Sequence, residues 1–131
     1  MRVEQERNQG VFRRALRRLT ASEQQLDAED LVDDVDETGA TPCREAAAHE
    51  RDPLELVGRL RSVRFMPRAT LPTLEAELYD GSGSVTLIWL GRRRIAGIEP
   101  GRRVLVRGRV VAQGLHTVMY NPWYELRPVA P

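Results

Sequence analysis

The chain is 131 residues long and 41% hydrophobic, the size of a single small domain with a modest core. Its one cysteine, Cys43, excludes an internal disulfide; no apolar run reaches the ~18 residues of a membrane span and no short apolar stretch follows a basic start, so a cytoplasmic chain without span or signal peptide is expected. The formal net charge of +1 hides an asymmetry, because residues 1–50 hold 7 Arg against 12 Asp and Glu whereas residues 51–131 hold 13 Arg against 7, an acidic leader before a basic remainder.

In the leader, Val11, Phe12, Ala15, Leu16 and Leu19 share one helical face and Arg13, Arg14, Arg17 and Arg18 the other, so an amphipathic helix is expected near residues 10–20. Thr20 with Glu23, or Ser22 with Gln25, has the capping-box spacing for a second helix over residues 22–36, running through Leu26, Leu31 and Val35. Gly39 and Pro42 end it, and a loop follows to residue 50. The leader is read as packing on the rest of the chain, as docking a protein partner, or as touching nucleic acid through its four arginines. Its acidic run from Asp27 to Glu37 is either a solvated face or an intramolecular competitor for the basic region, and it argues against an anionic membrane surface.

From residue 51 onward the period is two. Leu54, Leu56, Gly58 and Leu60 lie on one side of a long first strand; Leu74, Ala76 and Leu78 alternate with Glu75, Glu77 and Tyr79 in a second; Val85, Leu87 and Trp89 alternate with Thr86, Ile88 and Leu90 in a third. Asp80-Gly81-Ser82-Gly83 has the composition of a hairpin turn. The connector Gly91–Gly101 is too long for a hairpin and is predicted to hold a short helix. Val104, Val106, Gly108 and Val110 mark a fourth strand, and Leu115 to Leu126 a fifth, interrupted by Pro122. Strand-strand-strand-helix-strand-strand is the order of the OB-fold, so the expected architecture is mainly β: a five-stranded Greek-key barrel over residues 51–131, preceded by the helical leader of residues 1–50, with Gly58 and Gly108 allowing the strands to coil.

The segments Val57-Gly58-Arg59-Leu60, Tyr79-Asp80-Gly81-Ser82-Gly83, Gly101 to Val110 and Met119-Tyr120-Asn121-Pro122-Trp123-Tyr124-Glu125-Leu126 resemble the OB-fold wedge domain of the branched-DNA helicase RecG and the OB domains that bind tRNA. Nearly the whole chain, Trp89 to Ile95 included, is further similar to small stand-alone OB-fold proteins of actinobacteria described as nucleic-acid binding. The resemblance implies an OB fold and a nucleic-acid partner. It does not extend to fork unwinding, because there is no Gly-Lys-Ser/Thr phosphate loop and lysine is absent altogether.

The candidate contacts are therefore Arg59, Arg61, Arg64, Arg68, Arg92, Arg93, Arg94, Arg103, Arg107 and Arg109 for phosphates, with Tyr79, Tyr120, Trp123 and Tyr124 as rings on which bases would stack. Trp89 shares the parity of Val85 and Leu87 and is expected in the core. Glu75 and Glu77 point outward and repel phosphate, which displaces binding toward the first and fourth strands and the loops. His49, His116 and Cys43 have no zinc-ligand spacing, and Gly81-Ser82-Gly83 is not a nucleophile elbow, so no catalytic residue, metal or cofactor is expected. The expected partner is single-stranded or branched DNA, or structured RNA, bound with low sequence specificity. The alternative is a protein-interaction or regulatory module built from the barrel and the amphipathic leader.

Overall fold

The computed structural model describes residues 22–67 and 70–128. The helix expected near residues 10–20 lies outside the described residues, as does Arg68. The elements are helix α1 (Glu23–Thr38), a 3-10 helix (Cys43–His49), and strands β1 (Pro53–Pro67), β2 (Pro72–Tyr79), β3 (Ser84–Leu90), β4 (Arg103–Gln113), β5 (His116–Tyr120) and β6 (Trp123–Leu126). Among the described residues no helix is long and apolar enough to cross a membrane.

Of the two possible capping boxes, the second starts α1: the Ser22 hydroxyl accepts from the Gln25 backbone N–H at 3.3 Å and Gln25 Oε1 accepts from the Ser22 N–H at 3.2 Å. Gly39 closes the helix in the left-handed conformation, donating its N–H to the Val35 carbonyl. Only Leu31 and Val35, one turn apart, are buried on this otherwise acidic helix. Val35 joins Ala40, Val57 and Leu105 in a small cluster on the outer side of β1 and β4.

The stretch expected to be loop forms the 3-10 helix, whose Cys43 and Ala46 belong to the main core. No periodicity announces it, because a long-range contact fixes it. Asp80, at 0% exposure, accepts from the Cys43 N–H at 2.7 Å with one oxygen and from Ser82 N–H, Ser82 hydroxyl and Gly83 N–H with the other. The β2–β3 turn and the leader are thus pinned by one carboxylate. Burial first, and the Asp80 charge second, push the Cys43 thiol far up.

The strands form one sheet in the order β1-β2-β3-β5-β4-β6 that closes through a β1–β4 pairing; all neighbours are antiparallel except β3 and β5. β1 can serve two partners because it is long, meeting β4 over Pro53–Arg59 and β2 over Arg59–Pro67. At the changeover sits Gly58, where an added Cβ would lie 2.5 Å from the Tyr79 carbonyl oxygen. The register then slips by one residue between Leu60 and Ser62, leaving Arg61 as a bulge. Leu56, Leu60, Leu78, Leu87, Val104, Val106 and Met119 fill the interior without exposure, and Trp89 is buried as its parity predicts.

Two expectations fail in the described chain. The connector carries no helix: Gly97 and Gly101 adopt φ of 84° and 89°, its local backbone bonds are single turns (Ile98 N–H to Ile95, Arg102 N–H to Glu99), and Gly101 and Arg102 exchange bonds with Leu60 instead. Ile95 and Ile98 drop into the core as a plug. The predicted fifth strand is two strands, making six. Asn121 takes φ 48° before Pro122, so β5 pairs with Val110–Gln113 of β4 and β6 with Val104–Arg107.

Candidate nucleic-acid interface

The nine predicted arginines that lie among the described residues do not form one track. Arg59 is held by α1: its guanidinium meets Asp27 at 2.7 Å, and the same helix holds Arg127 through Asp34 at 3.3 Å. Arg61 and Arg64 lie on the outer face of β1, where each is compensated by one of the glutamates of β2, Arg61 by Glu77 at 3.6 Å and Arg64 by Glu75 at 3.4 Å. Arg61 also stacks on the predicted ring Tyr79, 3.4 Å from its centroid, so that face of Tyr79 is taken. On β4, Arg107 bonds Glu55 at 2.7 Å and lies 4.6 Å over Trp123, while Arg103 and Arg109 make no ion pair among the described residues.

Arg92, Arg93 and Arg94 differ from the paired arginines. All three are exposed and have no carboxylate partner among the described residues. Position explains why. β3 ends at Leu90, the Gly91 N–H donates to the Pro72 carbonyl at 2.7 Å, and Gly91 turns with φ 75° against Leu71, which throws the three arginines over one end of the ring. Arg93 sits 5.8 Å over Phe65 at the far end of β1.

That same end gathers apolar surface. Leu71, Thr73, Ile88, Leu90 and Tyr120 line a groove of about 200 Å³ together with Thr70. Phe65, Leu71, Leu90 and Tyr120 are each about two-fifths exposed, unusual for side chains of this kind. The Tyr120 hydroxyl oxygen accepts from Gln113 Nε2–H at 2.7 Å, so the ring is steadied from its polar end. Three residues on, Trp123 is half exposed beyond the Asn121-Pro122 kink. Tyr124 instead turns inward and meets Trp89 edge-on, with centroids 6.1 Å apart, and the Trp89 indole N–H bonds the Pro122 carbonyl.

Sequence reasoning missed Phe65, Leu71 and Leu90. Phe65 has inward parity opposite Leu74, yet β1 outruns the ring there and leaves the side chain uncovered. A signal was present: Leu60 to Val63 is a spacing of three rather than two, the mark of the bulge that re-aims everything after it.

No family model matches the chain, and no curated protein matches it. Among solved structures, that of RecG bound to a three-way DNA junction is similar at 23% sequence identity and a TM-score of 0.49, over 60% of this chain and 11% of that one. The chain thus spans about a tenth of the RecG chain it matches.

The described groups at the ring end are cations and flat apolar surface. Among the described residues no cluster of His, Cys, Asp and Glu has the arrangement of a metal site.

Proposed function

We propose that this protein is an OB-fold nucleic-acid-binding protein, not an enzyme, that holds single-stranded or branched DNA, or structured RNA, with low sequence specificity. The ring order supports the fold reading: β4, β1, β2 and β3 lie side by side in the 4-1-2-3 order of a Greek key, and β5 returns to close them. The observation that carries the binding reading is Arg93 over Phe65 at 5.8 Å, in an exposed Arg92–Arg94 run that has no carboxylate partner among the described residues and follows the exposed Leu90. Cations that track a phosphate chain beside rings on which bases stack are the usual means of gripping a single strand. Trp123 and Arg109 extend this surface along β6 and β4.

The exposed Leu71 and Leu90 favour a second reading, a protein partner seated on the same end. Fluorescence anisotropy with labelled single-stranded, duplex and forked oligonucleotides across a salt series separates the two. Binding whose logarithm falls linearly with the logarithm of salt supports the first. Absence of binding to every oligonucleotide at low salt refutes it.

A further inference from the structure

Beside the basic end, on the outer face of β1, β2 and β3, lies a polar cleft of about 280 Å³. Its lining includes Glu75, Glu77, Arg64, Ser62, Thr86 and His116, with Leu115 of the β4–β5 turn fully exposed at its rim. The two carboxylates are paired with Arg61 and Arg64, yet the Glu77 side chain keeps 39% of its surface exposed to the cleft side of the sheet. A phosphate cannot lie against them, but a nucleobase edge rich in N–H donors can.

Strand register fixes where this cleft stands relative to the rings. Across the sheet, Arg64, Glu75, Ile88 and Tyr120 form one row of outward residues, and Ser62, Glu77, Thr86 and Val118 form the next. Successive outward residues on a strand are about 6.7 Å apart. Glu77 stands one row along and two strands across from Tyr120, about 12 Å away, so a strand with one base on Tyr120 and its phosphates toward Arg92–Arg94 can bring the next base but one to Glu77 and Thr86. Glu77 is the more accessible acid, and its partner Arg61 is engaged with Tyr79.

We propose that this cleft is a nucleobase subsite preferring guanine, with the Glu77 carboxylate accepting from the guanine N1–H and 2-amino group. The inference rests on the nucleic-acid reading above and refines it. An ionised carboxylate only accepts, and its two oxygens match the two adjacent donors of the guanine Watson–Crick edge. Thymine and uracil present one N–H between two carbonyls, which face the carboxylate repulsively. Cytosine and adenine each offer an amino group next to an acceptor. The hydroxyls of Ser62 and Thr86 remain for the carbonyl O6 and the sugar.

The test compares single-stranded dT tracts of about 12 nucleotides, unmodified or carrying one central dG, dC or deoxyinosine, by anisotropy at fixed salt. The dG tract is expected to bind roughly 5- to 100-fold more tightly than dT. Deoxyinosine, which lacks the 2-amino group, should lose most of that gain. Glu77→Gln should collapse the dG preference while leaving dT binding at or above the wild-type level, with an unchanged melting temperature as the folding control. Equal binding of dG and dT tracts overturns the subsite and leaves the nucleic-acid reading standing. Full dG preference in Glu77→Gln overturns the assignment to this cleft. No binding to any tract overturns both, and cleft residues that respond by NMR to an oligo-arginine peptide without any dG preference give the cleft to a cationic protein segment instead.

Discussion

Replacing Arg92, Arg93 and Arg94 together by Ala isolates the electrostatic part of the proposed interface. None of the three has a carboxylate partner among the described residues, so each charge is free to displace a counterion from a phosphate. At about 0.7 per contact on a single strand, the slope of log K against log salt should fall by about 2. Between 50 and 200 mM salt that is a difference of about 20-fold in how much affinity is lost, well within the range of an anisotropy titration. Folding should be nearly untouched, because among the described residues the ring contact removed is Arg93 over Phe65 at 5.8 Å, worth at most about 1 kcal/mol. The double variant Arg61→Ala and Arg64→Ala is the internal control: Glu77 and Glu75 already compensate these charges, so its slope should change less. A triple variant with the wild-type slope, or a control that loses as much, would refute the reasoning.

Tyr120→Ala and Trp123→Ala should each weaken single-strand binding by about 1–3 kcal/mol with little change in melting temperature, whereas the buried Trp89→Ala should cost about 3–5 kcal/mol of folding stability; the reverse pattern would make the two exposed rings structural. Asp80→Asn leaves a buried N–H of Cys43 or Ser82 facing an amide and should lower unfolding stability by about 2–3 kcal/mol in urea, the idea failing if the loss is below about 0.5 kcal/mol. Because burial raises the folded-state pKa of Cys43 above its unfolded value, the folded chain holds this proton longer. Stability is full below pH ~9 and falls above it by up to about 1.4 kcal/mol per pH unit, a slope that should vanish in Cys43→Ala. In native buffer the thiol should react with a thiol reagent only at the rate at which the chain opens.

The strands were legible because β2 and β3 each bury one face, so Leu74, Ala76 and Leu78, and Val85, Leu87 and Trp89, carry a clean period of two. The connector misled because Arg92 to Ile98 is compatible with a helix locally; what replaces the helix is the left-handed turn at Gly97 and the bonds that Gly101 and Arg102 make with Leu60. The 3-10 helix was invisible for the converse reason, since its anchor, Asp80, lies 37 residues away from Cys43. Among the arginines, residue type alone could not separate the compensated from the free. Arg59 and Arg93 look alike in the sequence, and the carboxylate that occupies Arg59 is on α1, 32 positions earlier. The outward direction of Glu75 and Glu77 was readable, but not that Arg64 and Arg61 stand within reach of them.

The Asn121-Pro122 kink has a bearing on how binding would look in a calorimeter. Leu90 N–H to Asn121 Oδ1 at 2.9 Å, Asn121 N–H to the Ile88 carbonyl at 2.6 Å and Trp89 Nε1–H to the Pro122 carbonyl at 3.1 Å clamp this corner to β3. Tyr120 and Trp123 are therefore mounted on a backbone whose freedom is surrendered during folding rather than at the encounter. A ligand stacking on them meets a rigid two-plate support, so the entropic penalty of ordering falls on the nucleic acid alone, and affinity responds to how flexible that strand is more than to any rearrangement of the protein.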